Sequence, residues 1–398
     1  LSLSNLSVIV RQRSVKVQGK ALELRIQRLN LSGKYLQFLP DLSLSYSGLY
    51  DCFLATKLVF PTHSIALVSS WPLLAQGDRL FDVKAQRLEY RNAELDYENA
   101  VQDGMLEALE GFIGCLRQGV RMELAASNEA FYRAQVELTA SRKAYGRASE
   151  ADVLSVRAEL DNAVYQTQAA ALDLRKGLSL LARLLQVDAV QLDGSGLERA
   201  AFFTELPAPA SPLEATRDLE RLRNLRDQVV VEKNRALVDR IAPALNAGLA
   251  MDWFAGAGTN TLSAWPLEAK LSVNVTLSLF DRNVHLNRVR AAALRMEQRE
   301  LDLSQLRRNR YSELREALEE HNNKVRLLAS AARRTESAHL RFEKLAEGSR
   351  MGVTALTELI TGERAWREAV RDGLFLKYEI ILLRARLGRL FDSVDRFL

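Results

Sequence analysis

Two stretches of this chain are alike: AYGRASEADVLSVRAEL (Ala144–Leu160) and AEGSRMGVTALTELITG (Ala346–Gly362). Aligning Gly146 with Gly348 and Leu154 with Leu356 gives an offset of 202 residues, close to half of the 398-residue chain. Other pairs recur near that offset. LPDLSLSY (Leu39–Tyr46) matches APALNAGLAM (Ala242–Met251), and WPLLAQG (Trp71–Gly77) matches LSLFDRN (Leu277–Asn283). A repeat this long means one structural unit used twice. Each copy reads as helix, strand pair, long helix, turn, helix. The first repeat is 1–191, the second 213–398, with 192–212 as the linker between them.

The strands have two unlike faces. Leu42, Leu44 and Tyr46 alternate with Ser43, Ser45 and Ser47. Ile65, Leu67, Trp71 and Leu73 share a face, with Ser64 and Ser70 opposite; Ser69 breaks the pattern. Leu245, Ala247, Leu249, Met251 and Trp253 alternate with Asn246, Gly248 and Asp252. Leu271, Val273, Val275, Leu277 and Leu279 alternate with Ser272, Asn274, Thr276 and Ser278. A period of two is the strand signature. The pattern predicts hairpins at 42–74 and 245–279.

Helical periodicity fills the rest. The segments 76–145 and 281–346 predict helices of roughly 65–70 residues, about 100 Å if unbroken. Helices in globular domains average about 11–12 residues. Shorter helices are expected at 150–187, 213–241, 351–394 and from the start to about Gln37. Val153, Leu160, Thr167, Leu174 and Leu181 recur every seven residues, as do Leu359, Trp366, Gly373, Ile380, Leu387 and Val394. A seven-residue period packs helices knobs into holes. With only 8 prolines and 20 glycines, long elements are little interrupted. Gly104, Gly111, Gly114 and Gly119 crowd the first long helix. They predict close packing or a bend there, or are simply tolerated.

Four two-faced strands cannot close a barrel, and an open apolar edge invites association. Three chains would supply twelve strands. An apolar outer band over a polar interior is the pattern of a membrane β-barrel, and strands of about ten residues have the span for it. Tyr46, Tyr50, Phe53, Phe60, Trp71, Trp253, Phe254, Trp265 and Phe280 near the strand ends fit interfacial girdles. The alternative is a small soluble sheet whose apolar face covers a helix.

The duplicated plan and its motifs resemble the TolC-like outer-membrane efflux proteins. The motifs are LPDLSLSY entering the first strand, WPLLAQG and LSLFDRN leaving the hairpins, and the two interhelical stretches with which the repeat was found. The resemblance covers essentially the whole chain. It implies a mainly α fold with a small β part: a long coiled-coil α-barrel plus four strands per chain completing a 12-stranded transmembrane β-barrel in a homotrimer. It implies location in the bacterial outer membrane with a long periplasmic portion. The implied partners are outer-membrane lipid, a periplasmic adaptor protein and an inner-membrane pump. The implied function is the exit channel of a tripartite efflux or type I secretion system, passing small molecules or proteins. Leu44, Tyr46, Leu67, Trp71, Leu249, Met251, Leu271, Val273, Val275 and Leu277 become the lipid-facing positions.

The resemblance also implies roles at the two interhelical turns. Gly146, Ala148, Gly348 and Arg350 sit where adaptor hairpins dock in the family, although any helical hairpin needs such a turn. Asp152 and Arg350 stand where members bridge neighbouring hairpins and hold the periplasmic gate closed; two solvated charges would look the same. Some members ring the gate with aspartates. The matching positions here are Thr354 and Thr357, which narrow a pore without trapping cations.

Other chemistry is sparse. The net charge of +5 comes without a Lys/Arg block, so nucleic acid is not an expected partner. No run of about 18 apolar residues predicts a membrane helix. No leader peptide opens the chain, as for a cytoplasmic protein or a chain already trimmed. Cys52 and Cys115 have no CxxC spacing and form one disulfide or remain two thiols. His63, His285, His321 and His339 lack metal-ligand spacing, and no nucleophile sits in a recognisable catalytic pattern. AGAGTNT (Ala255–Thr261) lacks the lysine of a phosphate loop and reads as a loop between strands. Neither a cofactor nor an enzyme activity is expected. The competing reading is a soluble periplasmic coiled-coil adaptor or scaffold with a small β cap.

Overall fold

The computed structural model describes residues 3–49, 62–75, 78–146, 148–188, 191–193, 200–207, 216–241, 244–255, 267–276, 284–351, 353–392 and 394. Its elements run α1 (Leu3–Arg13), α2 (Val15–Leu36), β1 (Asp41–Leu49), β2 (Thr62–Ala75), α3 (Asp78–Ala144) and α4 (Glu150–Leu185). After a 3-10 turn at Ala200–Phe203 come α5 (Arg217–Ile241), β3 (Ala244–Ala255), β4 (Leu267–Thr276), α6 (Val284–Arg350) and α7 (Leu356–Leu390). This is the expected class, mainly helical with four strands. Both long helices have 67 residues.

Boundaries differ from the sequence expectation in several places, α7 among them, which starts at Leu356 and not at 351. The N-terminal helix is two helices that meet at Ser14, although its ladder continues: Ser14 N donates to Val10 O and Gln18 N to Ser14 O. β4 begins at Leu267, four residues before the alternation noticed in the sequence. α6 runs on to Arg350, through Gly348.

Contacts divide the chain into two compact units, each drawing on both halves of the sequence. The first comprises Leu1–Ala21, Asp96–Arg217 and Leu306–Leu398; the second comprises Leu22–Leu95 and Asp218–Gln305.

The first unit is a helical bundle with an apolar centre. Leu109, Phe112 and Ile113 of α3 meet Leu181 and Leu185 of α4, Ile381 and Ala385 of α7, and Leu6 and Val10 of α1. Smaller clusters form around Tyr132, Val156 and Ala163, and around Leu314, Leu318 and Leu387. Several of the heptad positions are buried: Val153 and Leu181 on α4, and Leu359, Ile380 and Leu387 on α7. A Cβ on Gly104 would stand 3.0 Å from Val10 Cγ1, so glycine there admits α1 against α3. Gly111 is similarly close to Leu181, whereas Gly114 and Gly119 face open space and are merely tolerated. Cross-helix ion pairs stitch the bundle: Arg386 to Glu110, Arg389 to Asp103, Lys324 to Glu379.

The second unit joins α2, α5 and the sheet-proximal parts of α3 and α6 to the strands. Asp82 of α3 pairs with Lys34 of α2 at 2.9 Å and with Arg235 of α5 at 2.8 Å. Glu220 of α5 pairs with Arg91 of α3 at 2.8 Å. The strands form one antiparallel sheet in the order β1-β2-β3-β4.

Candidate functional site

Two places carry chemistry, one in each unit: the sheet and the pair of interhelical turns.

The register of the sheet collects the alternating residues of four strands onto common faces. Leu44 faces Leu67, which faces Met251, which faces Ala269. Tyr46 is level with Ile65 and Trp253, and Leu42 with Ser69, Leu249 and Leu271. Trp71 is level with Ala247 and Val273. Since side chains alternate along a strand, one face holds Leu42, Leu44, Tyr46, Ile65, Leu67, Trp71, Leu249, Met251, Leu271, Val273 and Val275. Ser69, the break in the sequence pattern, is a polar position on it. Leu44 is 72% exposed and Leu271 78%, so nothing among the described residues covers this face at the edge strands.

The opposite face is polar. Ser47 and Ser64 hydroxyls are 2.6 Å apart, and Ser272 Oγ donates to Gly248 O. Lys270 pairs with Glu268 at 3.1 Å and Asp252 at 3.3 Å. Among the described residues β1 and β4 each have one strand neighbour, so the sheet has two open edges there. Strand lengths of 9, 14, 12 and 10 residues reach the span of a tilted membrane strand. Among the described residues no helix is long and apolar enough to cross a membrane. Trp71 Nε1 donates to Phe38 O at 3.1 Å, holding one aromatic at the α2–β1 end of the sheet. Leu277, Tyr50, Phe53, Phe60, Trp265, Phe280, Cys52 and most of AGAGTNT lie outside the described residues.

The first turn joins α3 to α4. Gly146 has φ +68°, which a residue with a Cβ adopts only under strain, and its N–H donates to Lys143 O at 2.9 Å. Ser149 caps α4: its hydroxyl receives the Asp152 N–H, and the Asp152 carboxylate accepts from Ser149 N and Oγ, both at 2.8 Å. This is a reciprocal capping box. These bonds hold the Asp152 carboxyl below the ordinary carboxylate range. Lys143 reaches Glu150 across the turn at 3.5 Å. Ala148 is half-buried.

The second turn joins α6 to α7 and is built differently. Gly348 is helical, and its carbonyl accepts from both Val353 N and Thr354 N. The turn therefore lies four residues beyond the position that the sequence alignment implied. α3 and α6 end at 144 and 350, and the caps of α4 and α7 fall at 149 and 355. Each is an offset of 206, so by position Gly352, outside the described residues, corresponds to Gly146. A slip of four residues is about one helical turn and preserves the face of every apolar residue. The glycine-turn role expected of Gly348 is thus corrected: it is a close-approach glycine in the last helical turn. Ala355 caps α7 without a side-chain bond. Thr354 is half-buried and Thr357 exposed on the first turn of α7.

Among the described residues no ion pair joins Asp152 to Arg350; Asp152 is engaged by Ser149, and Arg350 is exposed. What links the two turns is Arg142, whose guanidinium donates to the Ser349 carbonyl. Farther along, Phe342 stacks on Trp366 at 5.3 Å and meets Phe131 edge-on at 6.2 Å. Arg364 of α7 pairs with Glu159 of α4 at 2.7 Å. Glu363, 1% exposed, pairs with Arg367, which also donates to the Leu124 and Ser127 carbonyls of α3.

Sequence reasoning missed the apolar tips themselves. Tyr145 is 80% exposed, Met351 74% and Val353 82%. Their signal was an apolar residue beside each turn glycine.

No protein-family model matches the chain. The alkaline protease secretion protein AprF of Pseudomonas aeruginosa is 23% identical over 307 residues, which is 73% of this chain and 62% of that protein. The chain thus spans less than two thirds of that relative. Among solved structures, the Campylobacter jejuni CmeC outer membrane channel superposes with a TM-score of 0.85 at 14% identity, over 98% of this chain and 85% of that one. The open state of the Neisseria gonorrhoeae MtrE outer membrane channel gives 0.84 at 14%, over 98% and 88%. The outer membrane protein VceC of Vibrio cholerae gives 0.79 at 12%, over 98% and 96%.

Proposed function

We infer, from a chain that has the fold of the TolC-like outer-membrane channels, that it is one protomer of a trimeric exit duct. The observation that carries this is the sheet: one apolar face uncovered at its edge strands, one polar face, and two open edges. Bilayer interiors tolerate strands only in a closed barrel. Three copies joined β4 to β1 close twelve strands, with the apolar face toward lipid and the polar face toward water. The soluble scaffold reading leaves that face against solvent.

The duct sits in the bacterial outer membrane, with its helices in the periplasm. The repeats 1–191 and 213–398 each supply one hairpin to the barrel and one interhelical turn to the periplasmic end. A periplasmic adaptor docks at the turns, around Gly146, Ala148, Gly348 and Arg350; the exposed Tyr145, Met351 and Val353 offer it apolar contacts. An inner-membrane pump supplies the energy, and this chain only conducts. Likeness to AprF, a protease secretion protein by name, supports type I protein secretion; the channel neighbours suit efflux equally. Thr354 and Thr357 form the narrow gate. Asp152 and Arg350 of adjoining hairpins hold it closed by weak surface attraction.

Single-channel recording in planar bilayers tests this, with wild type beside Thr354→Asp. The expected result is a small, long-lived conductance that divalent cations block only in the variant. A conductance in both that is indifferent to the substitution moves the gate elsewhere. A monomer soluble without detergent, giving no conductance, overturns the channel.

A further inference from the structure

Within the first unit, part of the segment between the two repeats is strapped to α6. The Asn322 side chain holds both polar groups of the Leu206 backbone: Leu206 N donates to Asn322 Oδ1 at 2.9 Å, and Asn322 Nδ2 donates to Leu206 O at 2.9 Å. One turn along, Arg326 donates twice to the Glu205 carboxylate, at 3.0 and 3.1 Å. The Leu206 side chain packs on Leu314, Leu318 and Leu387. The Arg384 guanidinium of α7 stands 5.9 Å from the centre of the Phe202 ring. Residues 200–207 thus form a strap that touches both α6 and α7.

A titratable ring is sealed at this strap. His321, next to Asn322 on α6, is 0% exposed. Its Nδ1 lies 3.2 Å from the same Asn322 Oδ1 that receives the Leu206 N–H. Its Nε2 has no well-formed hydrogen bond among the described residues, although the Phe202 backbone lies near the ring. The charge that acts on it from α7 is another cation, Arg384. The carboxylates of the neighbourhood are engaged elsewhere: Glu205 of the strap by Arg326, and Glu320 of α6 and Glu379 of α7 by Lys324. A protonated imidazole carries a charge and two N–H donors, and this site offers it neither water nor a free anion. Burial, aided by Arg384 and opposed by Asn322, holds the His321 ring below the ordinary histidine range.

We propose that the strap at 200–207 is an acid-released clasp: neutral His321 lies sealed beneath it, and a protonated His321 opens it to reach water. A ring whose pKa is lowered in the closed state supports closure fully above its open-state value, about 6.5. That support is lost as the pH falls toward the lowered value. The Glu205–Arg326 pair cannot be the sensor in this range, because its carboxyl is held below the ordinary carboxylate range by Arg326 and stays ionised. The clasp needs only the fold of the first unit and stands apart from the channel reading.

The test is amide exchange of the full chain in detergent, read by mass spectrometry on the peptide that contains Leu206, whose N–H is held by the strap itself. After correction for intrinsic rates, opening is expected to rise by up to tenfold for each pH unit below about 6.5 and then to level off. The buried stretch of α3 around Leu109 and Ile113 is expected to stay protected. His321→Gln should flatten the pH dependence. Glu205→Gln should raise the exchange by a constant factor and keep the slope. A flat wild type overturns the clasp, and so does an acid step that survives His321→Gln or vanishes with Glu205→Gln. Loss of protection at Leu109 together with Leu206 also overturns it, since acid would then unfold the bundle as a whole. A second readout needs no variant: the His321 ring, followed by nuclear magnetic resonance in the wild type, is expected to titrate below about 6.5 in step with the exchange. A ring that titrates at the ordinary value, or that stays neutral while the strap opens, removes His321 as the sensor.

Discussion

A Cβ added to Gly348 would stand 2.2 Å from the Thr354 hydroxyl oxygen and 3.4 Å from the Thr354 Cβ. The end of α6 and the approach to α7 are therefore in contact at a point where an added Cβ meets the Thr354 hydroxyl. Two effects compete in Gly348→Ala. Alanine is favoured over glycine in a helix by about 0.5–1 kcal/mol, while overpacking costs about 1–3 kcal/mol. The clash wins, and the variant is expected to lose about 1 kcal/mol. In a Thr354→Ala background the oxygen is gone, and the same substitution should stabilise. Thermal unfolding of the four proteins in detergent, followed by circular dichroism, gives the sign. A loss of equal size in both backgrounds would show that Thr354 is not the obstacle.

What the residues disclosed, and what they hid, follows from the range of the forces involved. Alternation in Leu42–Tyr46 and Leu271–Val275 is a local property, and the register turned it into one shared face. Heptads on α4 and α7 named several of the buried positions for the same reason. The break at Ser14 packs against a partner 90 residues away, Gly104, and leaves no local mark. The second turn was misplaced by four residues because a shift of about one helical turn leaves the pattern of apolar faces unchanged. Glu363 and Arg367, four apart on a helix, look like any solvated pair; only the packing of α3 against α7 buries them.

That buried pair has a sharp consequence. Burial pulls the Arg367 guanidinium down to about 10, yet it stays charged at neutral pH. Its counter-charge is Glu363, and its ring contact is Phe131 at 5.7 Å. Glu363→Leu alone strands a buried cation and is expected to cost about 3–5 kcal/mol. Replacing both, Glu363→Leu with Arg367→Met, removes the desolvation problem and should recover most of that loss. Chemical denaturation of both variants decides it. Equal losses in the two would mean that packing, and not charge, sets the cost.

The two first helical turns after the tips should respond differently to acid. Asp152 is held below the ordinary carboxylate range chiefly by the Ser149 N–H. A carboxylate with a lowered folded pKa supports the fold above its unfolded value, and that support fades as the pH falls through the lowered one. Amide exchange in the first turn of α4 is therefore expected to speed up in acid, after correction for intrinsic rates. The first turn of α7, capped by Ala355 without a side chain, provides the comparison. Ser149→Ala should abolish the difference and weaken the cap by about 1 kcal/mol. A first turn of α4 as indifferent to acid as that of α7 would remove Asp152 from this role.

The two faces of the sheet make the most discriminating prediction, because adjacent residues must behave oppositely. Leu271 and Ser272 are neighbours on β4, level with Leu249 and Gly248 of β3. If the Leu271 face meets hydrocarbon, Leu271→Arg places a charge there, at a cost of about 2–4 kcal/mol near the bilayer midplane. In a trimer the substitution occurs three times, so folding into vesicles should fail. Ser272→Arg puts the same side chain on the water-facing side, and folding should continue with an altered conductance. Folding into lipid vesicles, scored by protease protection of the barrel, separates the two. Equal tolerance of both substitutions would mean that lipid meets neither face. Failure of Ser272→Arg with survival of Leu271→Arg would mean that the sheet faces the other way.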